Sequence, residues 1–142
     1  MVIFLDKNLK KEVVYAITLA EKMTSGEIRV HIQSRCKEDV LHDAKKVFHR
    51  LKMHKTRERN GTLIFIALES KKFAILGDKA IHEQVGDAFW NETRDVMAEH
   101  FKKNQIKEGI IAGLMSVGEK LKTHFPRKSD DKNELPDTVS EE

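Results

Sequence analysis

The chain has 142 residues, of which 39% are hydrophobic and 35% charged, so it can build one sizeable core but not two independent ones. The formal net charge is +3, and its basic residues are interleaved with acidic ones, which argues against a nucleic-acid-binding face. The single cysteine, Cys36, excludes an intramolecular disulfide and a cysteine-rich zinc site.

Hydrophobic segments along the chain are short and are interrupted by charges. None approaches the roughly 20 residues that a membrane-spanning helix needs. The apolar run at the N-terminus is too short for a signal peptide, and no basic stretch precedes it. We therefore expect a cytoplasmic protein with no membrane span.

The first third of the chain predicts two helices and one strand. Asp6 can cap a first helix, whose apolar residues recur at three- and four-residue spacing until Gly26 ends the pattern. Residues 27–33 alternate strictly between apolar and polar side chains, which predicts a strand near a sheet edge with one face toward water. A second helix with one apolar stripe is predicted from Asp39 to about Met53.

Two further strands follow, and their connections fix their directions. Residues 62–68 are continuously hydrophobic, which is typical of a central strand buried on both faces. A tight turn leads into a third strand at residues 72–76, so strands two and three should be antiparallel. A whole helix separates strands one and two, so these should be parallel. The predicted fold class is α/β, a three-layer α/β/α sandwich with a small mixed sheet.

The rest of the chain predicts three more helices and a tail. The helices should span residues 79–85, 89–101 and about 105–123. Three glycines weaken the last helix by about 1 kcal/mol each, so a neighbouring element should pack closely against them. They are Gly109, Gly113 and Gly118.

Residues 126–142 are polar, carry a net negative charge and are almost devoid of hydrophobic side chains. Such a segment lacks the apolar area that offsets the entropy of ordering. We therefore predict a domain at residues 1–125 and a disordered polar tail at residues 126–142. The tail carries a net charge of about −3, which leaves about +6 on the domain.

The predicted strand directions bring oxygen-bearing side chains to one edge of the sheet. This edge holds the starts of strands one and two and the end of strand three, with a glycine beside each. Carboxylate and amide oxygens suit Ca²⁺ or Mg²⁺, so we predict a metal site there. The predicted ligands, called the acidic rim below, are Glu27, Asn60, Asp78, Glu83 and Asp87.

Two alternatives to this site stay open. The acids could simply cap helices while the glycines end strands. Alternatively, a ligand could bind at the carboxyl ends of the parallel strands, as is common in such sheets, near Ser34 and Glu69. The glycines favour the edge at Glu27.

Three blocks of the sequence resemble the TPM domain family. They are residues 25–32, 59–69 and 72–81, and the similarity extends from about residue 7 to residue 125. The resemblance, which is to the short bacterial versions, implies an α/β/α sandwich, divalent-cation binding and, less directly, phosphatase activity. The exit of strand three reads Gly77-Asp78-Lys79-Ala80 where family members often have a glycine-rich turn, so the binding residues of that loop carry over only in part.

Two functions follow from the acidic rim and the resemblance. The first, which we favour, is a regulatory or scaffolding domain that binds Ca²⁺ or Mg²⁺ and meets a protein partner. The second is an acid phosphatase, in which the cation polarises a phosphoryl oxygen and activates water. Arg59 and Lys79 could hold the phosphate, but no base or nucleophile is evident, so catalytic residues are not assigned.

Overall fold

The structure, a computed structural model, describes residues 7–37, 39–127 and 139–141. The predicted cap Asp6 lies outside these ranges. Short 3-10 turns at Met53–Lys55 and Asp87–Trp90 follow the second and third helices. The elements are α1 (Lys7–Glu21), β1 (Ile28–Gln33), α2 (Val40–Arg50), β2 (Thr62–Ala67), β3 (Lys72–Gly77), α3 (Lys79–Val85), α4 (Asn91–Lys102), α5 (Ile106–His124) and β4 (Val139–Glu141).

The described strands form one mixed sheet in the order β3-β2-β1-β4. β1 and β2 are parallel because α2 carries the chain back to the edge where β1 began. β2 and β3 are antiparallel because only a tight turn joins them. Both predicted strand directions and the α/β fold class are confirmed.

Helices cover both faces of the sheet and create two cores. On one face, the apolar side chains of β1 pack with α1 and α5. On the other face, Leu63, Phe65 and Ala67 of β2 pack with α2. Every residue of β2 is buried. This burial confirms the prediction of a central strand covered on both sides.

The polar face of β1 is largely buried, with Arg29 partly exposed, whereas the alternation predicted a face toward water. The ring of His31 is fully buried and stacks on Phe65, with 5.6 Å between the ring centroids. Its two nitrogens lie 2.9 Å from Ser140 Oγ and 2.9 Å from Gln33 Oε1. The prediction of a wet face is wrong because β4 pairs with β1 and brings Ser140 over this side chain.

The segment predicted as a tail has five described residues, and they contact the domain. β4 lies parallel to β1, and an ion pair joins its Glu141 to Lys10 of α1. Arg127 donates a hydrogen bond of 2.9 Å to the backbone oxygen of Glu21. Disorder in the rest of the segment stays a prediction, because residues 128–138 and 142 lie outside the described ranges.

Removing residues 128–142 should lower the melting temperature by about 3–6 °C, because the lost strand contacts contribute roughly 1–2 kcal/mol. The deletion uncovers the edge of β1 and removes the partner of His31 Nδ1. Thermal unfolding followed by circular dichroism measures the change. The control Ser140→Ala removes the side-chain bond alone and should cost less. An unchanged melting temperature after deletion would mean that β4 does not stabilise the domain.

The glycines of α5 are sites of close packing, as predicted. A Cβ atom placed on Gly109 would lie 2.4 Å from Cε1 of Phe101 in α4. One placed on Gly118 would lie 3.1 Å from the backbone Cα of Ala20 in α1. Both helices therefore pack so closely on α5 that a larger residue at either position would force its neighbours to shift.

Candidate functional site

The starts of β1 and β2 and the end of β3 form one edge of the sheet. The backbone N–H of Thr62 donates to the oxygen of Glu27 at 2.7 Å, and that of Asp78 donates to the oxygen of Gly61 at 2.8 Å. Glu27, Gly61 and Asp78 therefore lie side by side across three strands. The parallel crossover and the hairpin together bring these residues to one edge, as the sequence analysis expected.

Asp78 lies at this edge, and only 6% of its surface is exposed. Its carboxylate accepts two hydrogen bonds from the guanidinium of Arg59, at 2.8 Å from Nε and 3.0 Å from Nη2. The hydrogen bonds and the charge of Asp78 raise the pKa of Arg59. The same carboxylate accepts from the backbone N–H of Lys79 at 2.8 Å and so caps α3. The capping role that the first alternative proposed is therefore present.

Glu27 and Asn60 are buried at the same edge, with 3% and 1% of their surfaces exposed. The amide nitrogen of Asn60 donates to Ser25 Oγ at 3.2 Å. Met53 lies over Gly61, since a Cβ atom placed there would be 3.3 Å from the Met53 backbone oxygen. The absence of a side chain at Gly61 therefore allows Met53 to pack closely over the start of β2.

Glu83 and Asp87 lie on the outer surface, beside α3. The carboxylate of Glu83 is 3.8 Å from Lys79 Nζ, and that of Asp87 is 3.3 Å from His82 Nδ1. Within residues 7–37, 39–127 and 139–141, no group of three or more histidine, cysteine, aspartate or glutamate side chains is arranged to hold a metal ion. The acidic rim is therefore a row of separately paired acids rather than a ready-made cage.

A pocket of about 240 Å³ lies against Asp78, where α2 and the turn after it meet the end of β3. Two histidines, His49 and His54, lie in contact, with 4.2 Å between their ring centroids and their planes tilted by 38°. The pocket therefore places one carboxylate near several basic side chains. Its polar and charged lining residues are Lys45, His49, His54, Arg59 and Asp78.

The surroundings of His54 favour its neutral form. Partial desolvation lowers its pKa, and the positive charges of His49, Lys55 and Arg59 lower it further. Its Nδ1 is buried and has no hydrogen-bond partner in the described part of the chain. The neutral form of an imidazole is the form that can accept a proton.

Sequence reasoning missed this pocket. Lys45 and His49 are four residues apart on α2, which places them on one helix face, and a basic loop follows. That spacing was the available signal. These two residues line a pocket only because α2 packs over the end of β3. A sequence pattern does not specify that tertiary contact.

Residues 3–120 match the family model of the TPM domain. The chain belongs to the TPM domain family. No curated protein matches it.

Two solved structures are similar to this chain. The BA42 protein of the psychrophilic bacterium Bizionia argentinensis is 46% identical, with a TM-score of 0.91 over 97% of this chain and 95% of that one. The N-terminal domain of a P. gingivalis protein is 17% identical, with a TM-score of 0.68 over 85% of this chain and 78% of that one. The second likeness concerns the fold alone.

The described helices of the TPM domain include none that is both long enough and apolar enough to cross a membrane.

At the opposite edge of its sheet, Glu69 accepts a hydrogen bond of 2.9 Å from Arg35 Nε. The backbone N–H of Glu69 also bonds the oxygen of Ser34 at 2.7 Å. This second edge is the location of the alternative site near Ser34 and Glu69.

Proposed function

We propose that this TPM domain is a regulatory or scaffolding domain that binds Ca²⁺ or Mg²⁺ at the acidic rim and acts on a protein partner. Asp78 is its principal ligand, and Glu27 and Asn60 are further oxygen donors of the same edge. The observation that carries the proposal is a carboxylate that is 6% exposed and yet lines a pocket. Buried acids are rare in proteins, and a pocket with a few convergent polar groups is the usual location of a binding site.

The donor set fits a weakly held, hydrated cation better than a tightly bound one. Carboxylate and amide oxygens are the ligands of Ca²⁺ and Mg²⁺, and water fills the remaining positions. Arg59 already holds both oxygens of Asp78, so the cation and the guanidinium compete for one carboxylate. Glu83 and Asp87 stay predicted ligands, and their contacts with Lys79 and His82 would have to open.

Competition with Arg59 gives the first test. Arg59→Gln should raise the affinity for Ca²⁺ by about threefold to tenfold, because it frees the carboxylate and removes a nearby positive charge. Calorimetric titration with Ca²⁺ and with Mg²⁺ measures this affinity.

The matched control is Arg57→Gln, which removes the same charge from the same loop, two residues away. It should change the affinity by less than about twofold, since exposed charges are screened by solvent and salt. Equal effects of the two variants, or weaker binding after Arg59→Gln, would contradict competition at Asp78.

A metal-assisted acid phosphatase is the second candidate, and the basic pocket favours it. Lys45 and Arg59 are cations of the kind that hold phosphate, and neutral His54 is a candidate base in the same pocket. A cation bound to Asp78 would supply Lewis-acid polarisation of a phosphoryl oxygen. No nucleophile is assigned.

Hydrolysis of para-nitrophenyl phosphate with added Mg²⁺ tests this candidate. If the domain is a phosphatase, His54→Gln should lower kcat by about a hundredfold or more, as loss of a general base does. The control His42→Gln replaces an exposed histidine of α2 and should leave kcat unchanged. Absence of hydrolysis in the parent protein would contradict the phosphatase candidate.

A further inference from the structure

A larger groove of about 570 Å³ lies at the opposite edge of the sheet from the acidic rim. It is bounded by the end of β2, the start of β3, and the region where α4 passes into α5. The carboxyl ends of parallel strands are the usual place for ligands in α/β sheets. Its volume lies within the range of about 300–1,000 Å³ that is typical of small-molecule sites.

The body of the groove is apolar. Phe73 and Phe101 contact each other edge to face, with 5.2 Å between centroids and an interplanar angle of 85°. Leu68 and Ile106 add aliphatic surface from the β2–β3 turn and the start of α5. All four side chains are only partly buried, although they pack on the main core. They therefore present apolar surface that a ligand can cover.

Gly109 allows one wall of the groove to pack closely against α5. A Cβ atom at Gly109 would approach Phe101 Cε1 to 2.4 Å, so glycine allows the ring to lie against α5. The shape of the groove therefore depends on the close packing of α4 and α5.

The charged residues of the groove are all lysines. Lys71 and Lys72 come from the β2–β3 hairpin and Lys102 comes from the end of α4, and all three are exposed. No acidic side chain of the described residues lines the groove. Among the described residues, none of the salt bridges involves these three lysines. Three like charges around apolar walls are complementary to an anion.

We propose that this groove binds a small amphipathic carboxylate, with an apolar chain against Phe73 and Phe101 and a carboxylate among the three lysines. The apolar walls supply the affinity through burial, and the lysines select the charged head group. A neutral ligand of the same chain length leaves the lysines without a counter-charge, so it binds more weakly. The proposal is independent of cation binding, which uses the other edge of the sheet.

Titration with decanoate, kept below its micellar concentration and followed by amide shifts, tests the proposal on the full chain. We expect shifts at residues 66–73 and 98–106, and binding of decanol that is about tenfold weaker. Absence of decanoate binding, equal binding of decanol, or shifts confined to other residues would overturn the proposal.

Two variants and one control complete the test. Lys102→Glu should weaken decanoate binding by about tenfold, because it places a like charge beside the carboxylate. Lys103→Glu makes the same change one residue later, outside the groove, and should change binding by less than about twofold. Ala98→Phe fills the groove without changing charge and should abolish binding. If Lys103→Glu weakens binding as much as Lys102→Glu, or if folded Ala98→Phe binds as the parent does, the site is wrong.

Discussion

Phe65→Ala is expected to lower the free energy of unfolding by about 3–5 kcal/mol, the usual cost of deleting a buried aromatic ring. Phe65 lies in the middle of β2, is fully buried and faces the core under α2. Its ring also stacks on buried His31. The substitution therefore leaves a cavity and removes the contact that covers a polar side chain.

Urea unfolding, followed by circular dichroism, measures this loss. The control His49→Ala removes an exposed ring from α2, on the same side of the sheet, and should cost less than about 1 kcal/mol. Equal losses in the two variants would mean that β2 is not the core segment that its sequence predicts.

Asp78→Asn is expected to weaken Ca²⁺ binding by more than about tenfold, because a carboxylate ligand becomes a neutral amide. The substitution keeps the shape of the side chain, and asparagine can still cap α3. The folded domain should therefore survive while its principal ligand is lost. Calorimetry at matched protein concentration, with circular dichroism as the check on folding, measures both effects.

Asp95→Asn is the matched control for this variant. Asp95 is exposed on α4, away from the sheet edge, and the change removes the same charge. It should change the affinity for Ca²⁺ by less than about twofold, since exposed charges are screened. Unchanged affinity after Asp78→Asn would remove Asp78 from the proposed site.

The pairing and direction of β1, β2 and β3 could be predicted because they follow from short-range rules. Residues 62–68 are apolar without interruption, so their burial on both faces could be deduced from composition alone. The tight turn and the helical crossover then fixed which strand ends share an edge. The positions of Glu27 and Asp78 at one edge follow from these two connections.

The surroundings of β1 could not be predicted, because they depend on a segment far away in the chain. Its alternating pattern favours a wet face, and His31 and Gln33 are polar. In the fold, β4 pairs with β1, and Ser140 bonds His31 across 109 positions of sequence. A three-residue strand in a polar segment carries too little hydrophobic pattern to be recognised.

The side-chain contacts of the predicted ligands could not be predicted from the sequence either. Arg59 was identified as a possible phosphate ligand, but its bidentate contact with Asp78 depends on how the loop before β2 meets the end of β3. Lys45 and His49 reach the same pocket only through the packing of α2. Position along the chain predicted which residues reach the edge, while tertiary packing decides which of them interact.

The most direct test of the proposed cation site is a residue-resolved titration of the isotope-labelled protein with Ca²⁺ and Mg²⁺. Binding at the acidic rim should shift the amide signals of Glu27, Gly61 and Asp78, whose backbones lie side by side at that edge. The signals of Ser34 and Glu69, at the other edge, should stay in place. Shifts at Ser34 and Glu69 instead, or no saturable shifts at all, would contradict a cation site at the acidic rim.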